Sequence, residues 1–320
     1  MKNSNKNKNA KRKKVEFKDK FVTLKSNFFL RNVFDNLEYN KYLKIIRYNK
    51  QIQQKLNLSI KDYIDYGKIK IEIIPIEKAV GQFINIIFDS ETKYFHIYFN
   101  NNFKKEIHRT CLKKNDKVNK INVILDQQIT SFYKLFDNCK CIKSVSFKSF
   151  NRKNIRSMEL MFHKCSSLKE IDFSNFHTDN VCNMDSMFSG CPFEKINLSN
   201  FITDNVKSLE GMFSSCSSLK EINLSKFNTS KVSSMAWMFS GCISLKEIDI
   251  SNFNFKNLGR VSFMFSNCTS LKNIVFNSNF NINDYIANNT FKGCSVELQD
   301  KMRKHFKNIN EQAFFSHHFA

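Results

Sequence analysis

The stretch "MFSGCISLKEIDISNF", Met238–Phe253, places a glycine and a cysteine ahead of a short run in which Leu245, Ile248 and Ile250 are apolar and Asp249 is polar. Read alone, Cys242 suggests a reactive thiol. Read along the chain, it is one of a series: Cys139, Cys165, Cys191, Cys216, Cys242, Cys268 and Cys294 are separated by 26, 26, 25, 26, 26 and 26 residues. A fixed period of this size marks a repeat architecture. The single 25 falls where "CPFEKINLSNF" is one residue shorter than "CSSLKEINLSKF". Cys111, Cys141 and Cys182 lie outside the series.

Each unit carries two patterns. After the cysteine, a segment such as "LKEIDIS" has the spacing of a short strand with one face inward, and a phenylalanine follows at the bend (Phe150, Phe176, Phe201, Phe227, Phe253). The second half, as in "TSKVSSMAWMF", sets Val232, Met235, Met238 and Phe239 at offsets 0, 3, 6 and 7, which fall on one face of a helix. Thr229 or Ser230 is placed to cap such a helix, and Gly241 to end it. One strand and one helical segment per unit predict an α/β solenoid: stacked coils with a parallel β-sheet, strands about 4.8 Å apart, and columns of Phe, Met and Cys inside.

A column of equivalent cysteines argues against thiolate catalysis, which needs one activated sulfur and a base; no histidine recurs beside them. Zinc sites use paired ligands at short separation, and the one close pair is Cys139-Lys140-Cys141. Stacked cysteines cannot all pair as disulfides, whereas small thiols pack well. The series Cys139, Cys165, Cys191, Cys216, Cys242, Cys268 and Cys294 therefore reads as structural core, with no cofactor, metal or catalytic residue implied.

The stretches "NVCNMDSMFSGC", "SLKEINLSKFNTSKVSSMAWMFSGC" and "SLKEIDISNF" resemble the BspA-type leucine-rich repeat, a surface-protein repeat of about this length. The resemblance covers residues 121 to 294. It implies a leucine-rich-repeat solenoid whose members bind proteins or surfaces and share no catalytic residues. Bacterial members are often exported adhesins, whereas this chain shows no export signal, so a scaffold inside the cytoplasm is expected first.

The net charge of +22 is uneven, with 29 Lys+Arg against 13 Asp+Glu in residues 1–134 and 18 against 13 in residues 135–294. The basic N-terminal tail is thus a candidate contact for nucleic acid or an anionic surface, and Lys11 to Lys14 a candidate nuclear address. No window approaches the roughly 18 consecutive apolar residues of a membrane span. The expected organisation is a basic disordered tail (1–20), a helical segment (21–67), a β-rich cap (68–120), the solenoid of about six to seven 26-residue units (121–294) and a closing helix and tail (295–320). Strands are expected in "IKIEIIPI", "QFINIIFD" and "KYFHIYFN". The run "FFLRNVFDNLEYNKYLKIIRYNK" is faintly similar to an F-box, though it lacks the Leu-Pro start of that module.

Outward strand residues form two columns in which a partner could bind: Lys169, Glu194, Lys220, Lys246 and Lys272, and then Asp172, Asn197, Asn223 and Asp249. Their mixed charge favours a protein or peptide ligand over nucleic acid. Trp237 stands at an otherwise variable position, partly packed and a candidate anchor. A non-enzymatic interaction scaffold is the function expected; a ubiquitin-ligase substrate adaptor and a cell-surface adhesin are the alternatives. If the columns face outward, Asn223→Ala is expected to be neutral.

Overall fold

The computed structural model describes residues 67–315 except 127, 279, 283 and 284, together with Lys50, Gln54, Ile64 and Asp65, which are helical. The basic tail, Lys11 to Lys14 and nearly all of the F-box-like run lie outside the described residues. The chain divides into two compact units, Met1–Lys68 and Ile69–Ala320.

The second unit opens with a mixed sheet. Strand β1 (Ile69–Pro75) alternates buried Ile69, Ile71 and Ile73 with more exposed residues, the pattern of a strand with one face on a core. β1 lies between β5 (Ile121–Leu125) and β6 (Ile142–Ser149), antiparallel to both, with Ile71 opposite Val123 and Phe147. β3 (Phe95–Phe99) pairs with β5, and β7 (Glu170–Asp172) runs parallel to β6, giving the order β3-β5-β1-β6-β7. Of the expected "QFINIIFD" strand, only β2 (Gly81–Gln82) forms, pairing with β4 (Cys111–Leu112). β8 (Glu247–Asp249) and β9 (Asn273–Val275) make a separate parallel pair.

The α/β leucine-rich-repeat solenoid is not what this chain builds. Its parallel sheet is broken: no strand forms between β7 and β8, although "FEKINLS" and "LKEINLS" carry the expected spacing there. The shortened unit, with Pro192, falls within the break. The expected helical segments are absent as well. From residue 69 onward, α-helix among the described residues is confined to α1 (Val296–His305), with short 3-10 turns at Asp89–Tyr94 and Glu311–Ala313.

What replaces the helices is a chain of tight turns. In the unit holding Trp237, Met238 donates to the Met235 carbonyl, Ser240 to Trp237 and Cys242 to Phe239, each three residues back. Trp237 (φ +56°) and Gly241 (φ +74°) are left-handed, which an α-helix does not tolerate. The same two places, five residues and one residue before the cysteine, are left-handed in every unit. The first holds Lys134, Leu160, Ser186, Gly211, Trp237, Phe263 and Asn289; the second holds Asn138, Lys164, Gly190, Ser215, Gly241, Asn267 and Gly293.

The turns leave backbone groups pointing along the stack. The amides of Met235, Trp237, Phe239 and Gly241 donate to the carbonyls of Arg260, Ser262, Met264 and Ser266 in the next unit, at 2.7–3.0 Å. The carbonyls of Ser234, Ala236, Met238 and Ser240 accept from Leu209, Gly211, Phe213 and Ser215 in the unit before, at 2.6–3.0 Å. Within the turns, donors thus face one neighbour and acceptors the other, unlike a β-ladder, in which each strand offers both to each side; just before the turns the direction reverses, as where Ser233 donates to Lys207 of the unit before. Parallel bridges run from Ser131 through Ser157, Asn183, Ser208, Ser234 and Arg260 to Ile286.

Inside, Phe136, Phe162, Phe188, Phe213, Phe239, Phe265 and Phe291 form one column of near-parallel rings with centroids 5.1–6.1 Å apart. Val232, Met235 and Met238 fill the space beside them, fully buried. Offsets 0, 3, 6 and 7 do point inward, on turns rather than on a helix.

Candidate functional site

Each cysteine of the series is buried. From Cys165 onward, its thiol donates to the carbonyl of the ring residue one unit earlier: Cys242 to Phe213 at 3.1 Å, Cys268 to Phe239 at 3.0 Å, and likewise for Cys165, Cys191, Cys216 and Cys294. Burial pushes the thiols up, that of Cys216 and of Cys294 to about 12. A thiolate is disfavoured there, and the structure places these sulfurs in the packing. All ten cysteines are free, and the described residues hold no group of three or more His, Cys, Asp and Glu able to grip a metal ion.

Thr178, Thr203 and Thr229 are also buried, and they tie units together. The Thr229 hydroxyl donates to the Asn254 carbonyl at 3.1 Å and accepts from the Asn254 amide at 2.7 Å. Thr203 does the same with Asn228, and Thr178 with Ile202. Thr229 therefore bridges coils instead of capping a helix.

The outward columns take definite roles. Asp172, Asn197, Asn223 and Asp249 are exposed, but one side-chain oxygen of each accepts from the amide two residues on, at 2.8–3.0 Å. Such side chains make the turn that ends the strand-like run. The Ser174 amide and hydroxyl hold the Asp172 carboxyl below its ordinary range; the Ser251 hydroxyl and amide do the same for Asp249. Lys169, Lys220 and Lys246 are exposed; Lys220 pairs with Glu194 one unit back at 2.7 Å. His163 contacts Asp137 across units at 2.8 Å.

On another face, a column missed in the sequence brings Glu159, Asp185 and Glu210 together, all six residues before a cysteine. Burial raises Glu159 and Asp185 above the usual carboxylate range, and each feels the next carboxylate in the column, Asp185 and Glu210 respectively. Their common offset from the cysteines was the signal. In the following unit, Trp237 lies flat on Phe263, with ring centroids 5.2 Å apart and planes 7° from parallel. Trp237 remains 37% exposed. The structure thus separates the sequence-predicted residues: the lysine and Asp/Asn columns lie on the strand-like run, and Trp237 lies in the turn run, one position after the offset that holds the carboxylates in earlier units.

Among the described residues, no helix is long and apolar enough to cross a membrane. Neither the curated proteins nor the solved structures compared with the chain give a match. A family model described as "Mycoplasma protein of unknown function, DUF285" matches residues 101–222 and again residues 191–306. The two matches overlap within the repeated region and span more than half of the chain, so the protein belongs to this DUF285 family.

Proposed function

We propose that the protein is a non-enzymatic interaction scaffold that binds a partner protein through the outer surface of its stacked units, and that its repeat is a relative of the BspA type. The observation that carries this reading is the order of that surface. Exposed Asp172, Asn197, Asn223 and Asp249 repeat at the spacing of the units and are each held by the amide two residues on, as in the Asn223–Ser225 turn at 2.9 Å, and Lys220 pairs with Glu194 of the unit before at 2.7 Å. Side chains already held in this way lose little conformational entropy when a partner docks. The buried, hydrogen-bonded thiols give the cysteine series a packing role that fits a scaffold.

Affinity purification of the full chain from native lysate, followed by mass spectrometry, tests this. The comparison is a variant with Lys169→Glu and Lys246→Glu, both on the strand-like face. A reproducible partner set that changes with the variant supports the reading. Capture no different from that of an unrelated protein of equal charge overturns it.

A further inference from the structure

The connection between β3 and β5, residues 100–120, gathers positive charge around one exposed ring. It holds seven Lys+Arg against two Asp+Glu. Both carboxylates are engaged inside the fold: Asp116 accepts from Arg109 through two bonds, at 2.6 and 2.8 Å, and Glu106 meets His96 at 2.9 Å. Lys120 pairs with Glu72 at 2.8 Å. Lys104, Lys105, Lys113, Lys114 and Lys117 are exposed, and among the described residues none of the five pairs with a carboxylate.

These lysines lie on two turns that are tied together. Asn100 donates its amide to the Lys120 carbonyl at 2.8 Å and its Nδ2 to the Lys117 carbonyl at 2.7 Å, and its Oδ1 accepts from the Asn119 amide at 2.9 Å. The second turn is closed by Asp116, whose carboxylate accepts the Lys113 amide at 2.6 Å. Phe103 stands on the first turn, 56% exposed, and rests against the Tyr98 ring with centroids 5.3 Å apart. A single exposed ring is ordinary by itself. The charge around this one indicates what would cover it.

We infer that this pair of turns docks on an anionic lipid bilayer, with Phe103 entering the boundary between headgroups and acyl chains and the lysines lying against the phosphates. This goes beyond the interaction reading above and uses residues outside the repeated units. Ammonium groups on long stems need no fixed partner geometry, and a bilayer offers diffuse negative charge with an apolar layer just beneath it. Lysines beside a large apolar ring suit that interface. A nucleic acid would attract the same lysines, but such grooves present a succession of stacking rings. The one arginine here, the better phosphate fork, is already held by Asp116. An acidic protein would need a pocket matched to Phe103, whereas a bilayer needs none.

The test uses the full chain carrying Trp237→Phe and Phe103→Trp, so that its one indole stands on the turn. Phe263 already occupies the position of Trp237 in the next unit, so that exchange suits the column. Emission is followed with vesicles of phosphatidylcholine, with and without phosphatidylglycerol, and with brominated acyl chains. Sedimentation is not the readout, because any basic residue of the chain can hold an anionic vesicle; bromine quenching reads the depth of this turn. The expected result is a blue shift and quenching with the phosphatidylglycerol vesicles only, reversed by added salt. Lys104→Gln together with Lys105→Gln should weaken this binding about 20-fold, from about 5-fold for each lysine at a membrane surface. Residues 103–105 are exposed, so their replacement leaves the core intact. An indole that stays in water on vesicles the chain has bound, an equal response to phosphatidylcholine alone, or full insertion by the double lysine variant overturns the inference. So does binding of a single-stranded oligonucleotide that the lysine variant loses, without insertion into vesicles; that outcome assigns the turns to nucleic acid.

Discussion

At the scale of single residues, the outer polar side chains are not interchangeable decoration. Asn223 is exposed, and exposure alone made Asn223→Ala look neutral. Its carbonyl oxygen, however, accepts the Ser225 amide at 2.9 Å and shapes the bend before Phe227. The cost of Asn223→Ala is therefore set near that of losing a comparable cap, about 1 kcal/mol. Thr229→Val is nearly isosteric, yet it strips both partners from Asn254 in a buried position, for which about 1–3 kcal/mol is expected. Urea unfolding of the two variants should place the Thr229→Val midpoint below that of Asn223→Ala. The reverse order would mean that the hydroxyl bridge does not hold the units together.

At the scale of the element, one misreading and its cause are visible. Val232, Met235, Met238 and Phe239 satisfy a helical face, and a run of tight turns satisfies the same offsets, so apolar periodicity could not choose between them. The information lay in the residue before each cysteine, where Asn138, Gly190, Gly241, Asn267 and Gly293 are the types that tolerate left-handed backbone. The other left-handed position was illegible because Leu160, Trp237 and Phe263 occupy it. The period itself was fully legible from the cysteines, and so was the inward set. The acidic face was not, because Glu159, Asp185 and Glu210 sit in a half of the unit assigned to a helix. Lys164 (φ +55°) bears the steric cost of its Cβ at a place where Gly190 does not. Lys164→Gly is therefore expected to stabilise the chain by up to about 1 kcal/mol, whereas a glycine in a true helix would destabilise it by a similar amount. The sign of the shift in the urea midpoint distinguishes turn from helix.

At the scale of the whole repeat stack, the one-way hydrogen bonding of the turns has a consequence at the ends: outward turn carbonyls at the first unit and outward turn amides at the last need partners from elsewhere. Both ends are covered. At the last unit, Asn289 and Phe291 donate to the carbonyls of Gln312 and Ala313, at 2.6 and 2.8 Å, in the Glu311–Ala313 turn. At the first, Asn85 covers the carbonyls: its amide N–H donates to Leu135 at 2.8 Å, and its Nδ2 donates to Lys134 at 2.9 Å and Asp137 at 2.8 Å. The carbonyls of Leu135 and Asp137 are the outward acceptors of the ladder, so Asn85 serves as the polar lid of the stack. Asn85→Asp keeps the shape and replaces the donor with an anion facing carbonyl oxygens. Repulsion there should raise the pKa of the new carboxyl in the folded state above its unfolded value. Folding then binds a proton, so the variant should lose stability as pH rises through the unfolded and then the folded pKa, and recover part of it on acidification, when the neutral acid can donate to one carbonyl. Melting temperatures of the variant and the parent chain, compared from pH 4.5 to 8, should diverge with rising pH. A constant gap across that range would place Asn85 outside the carbonyl end of the ladder and leave the one-way arrangement without its lid.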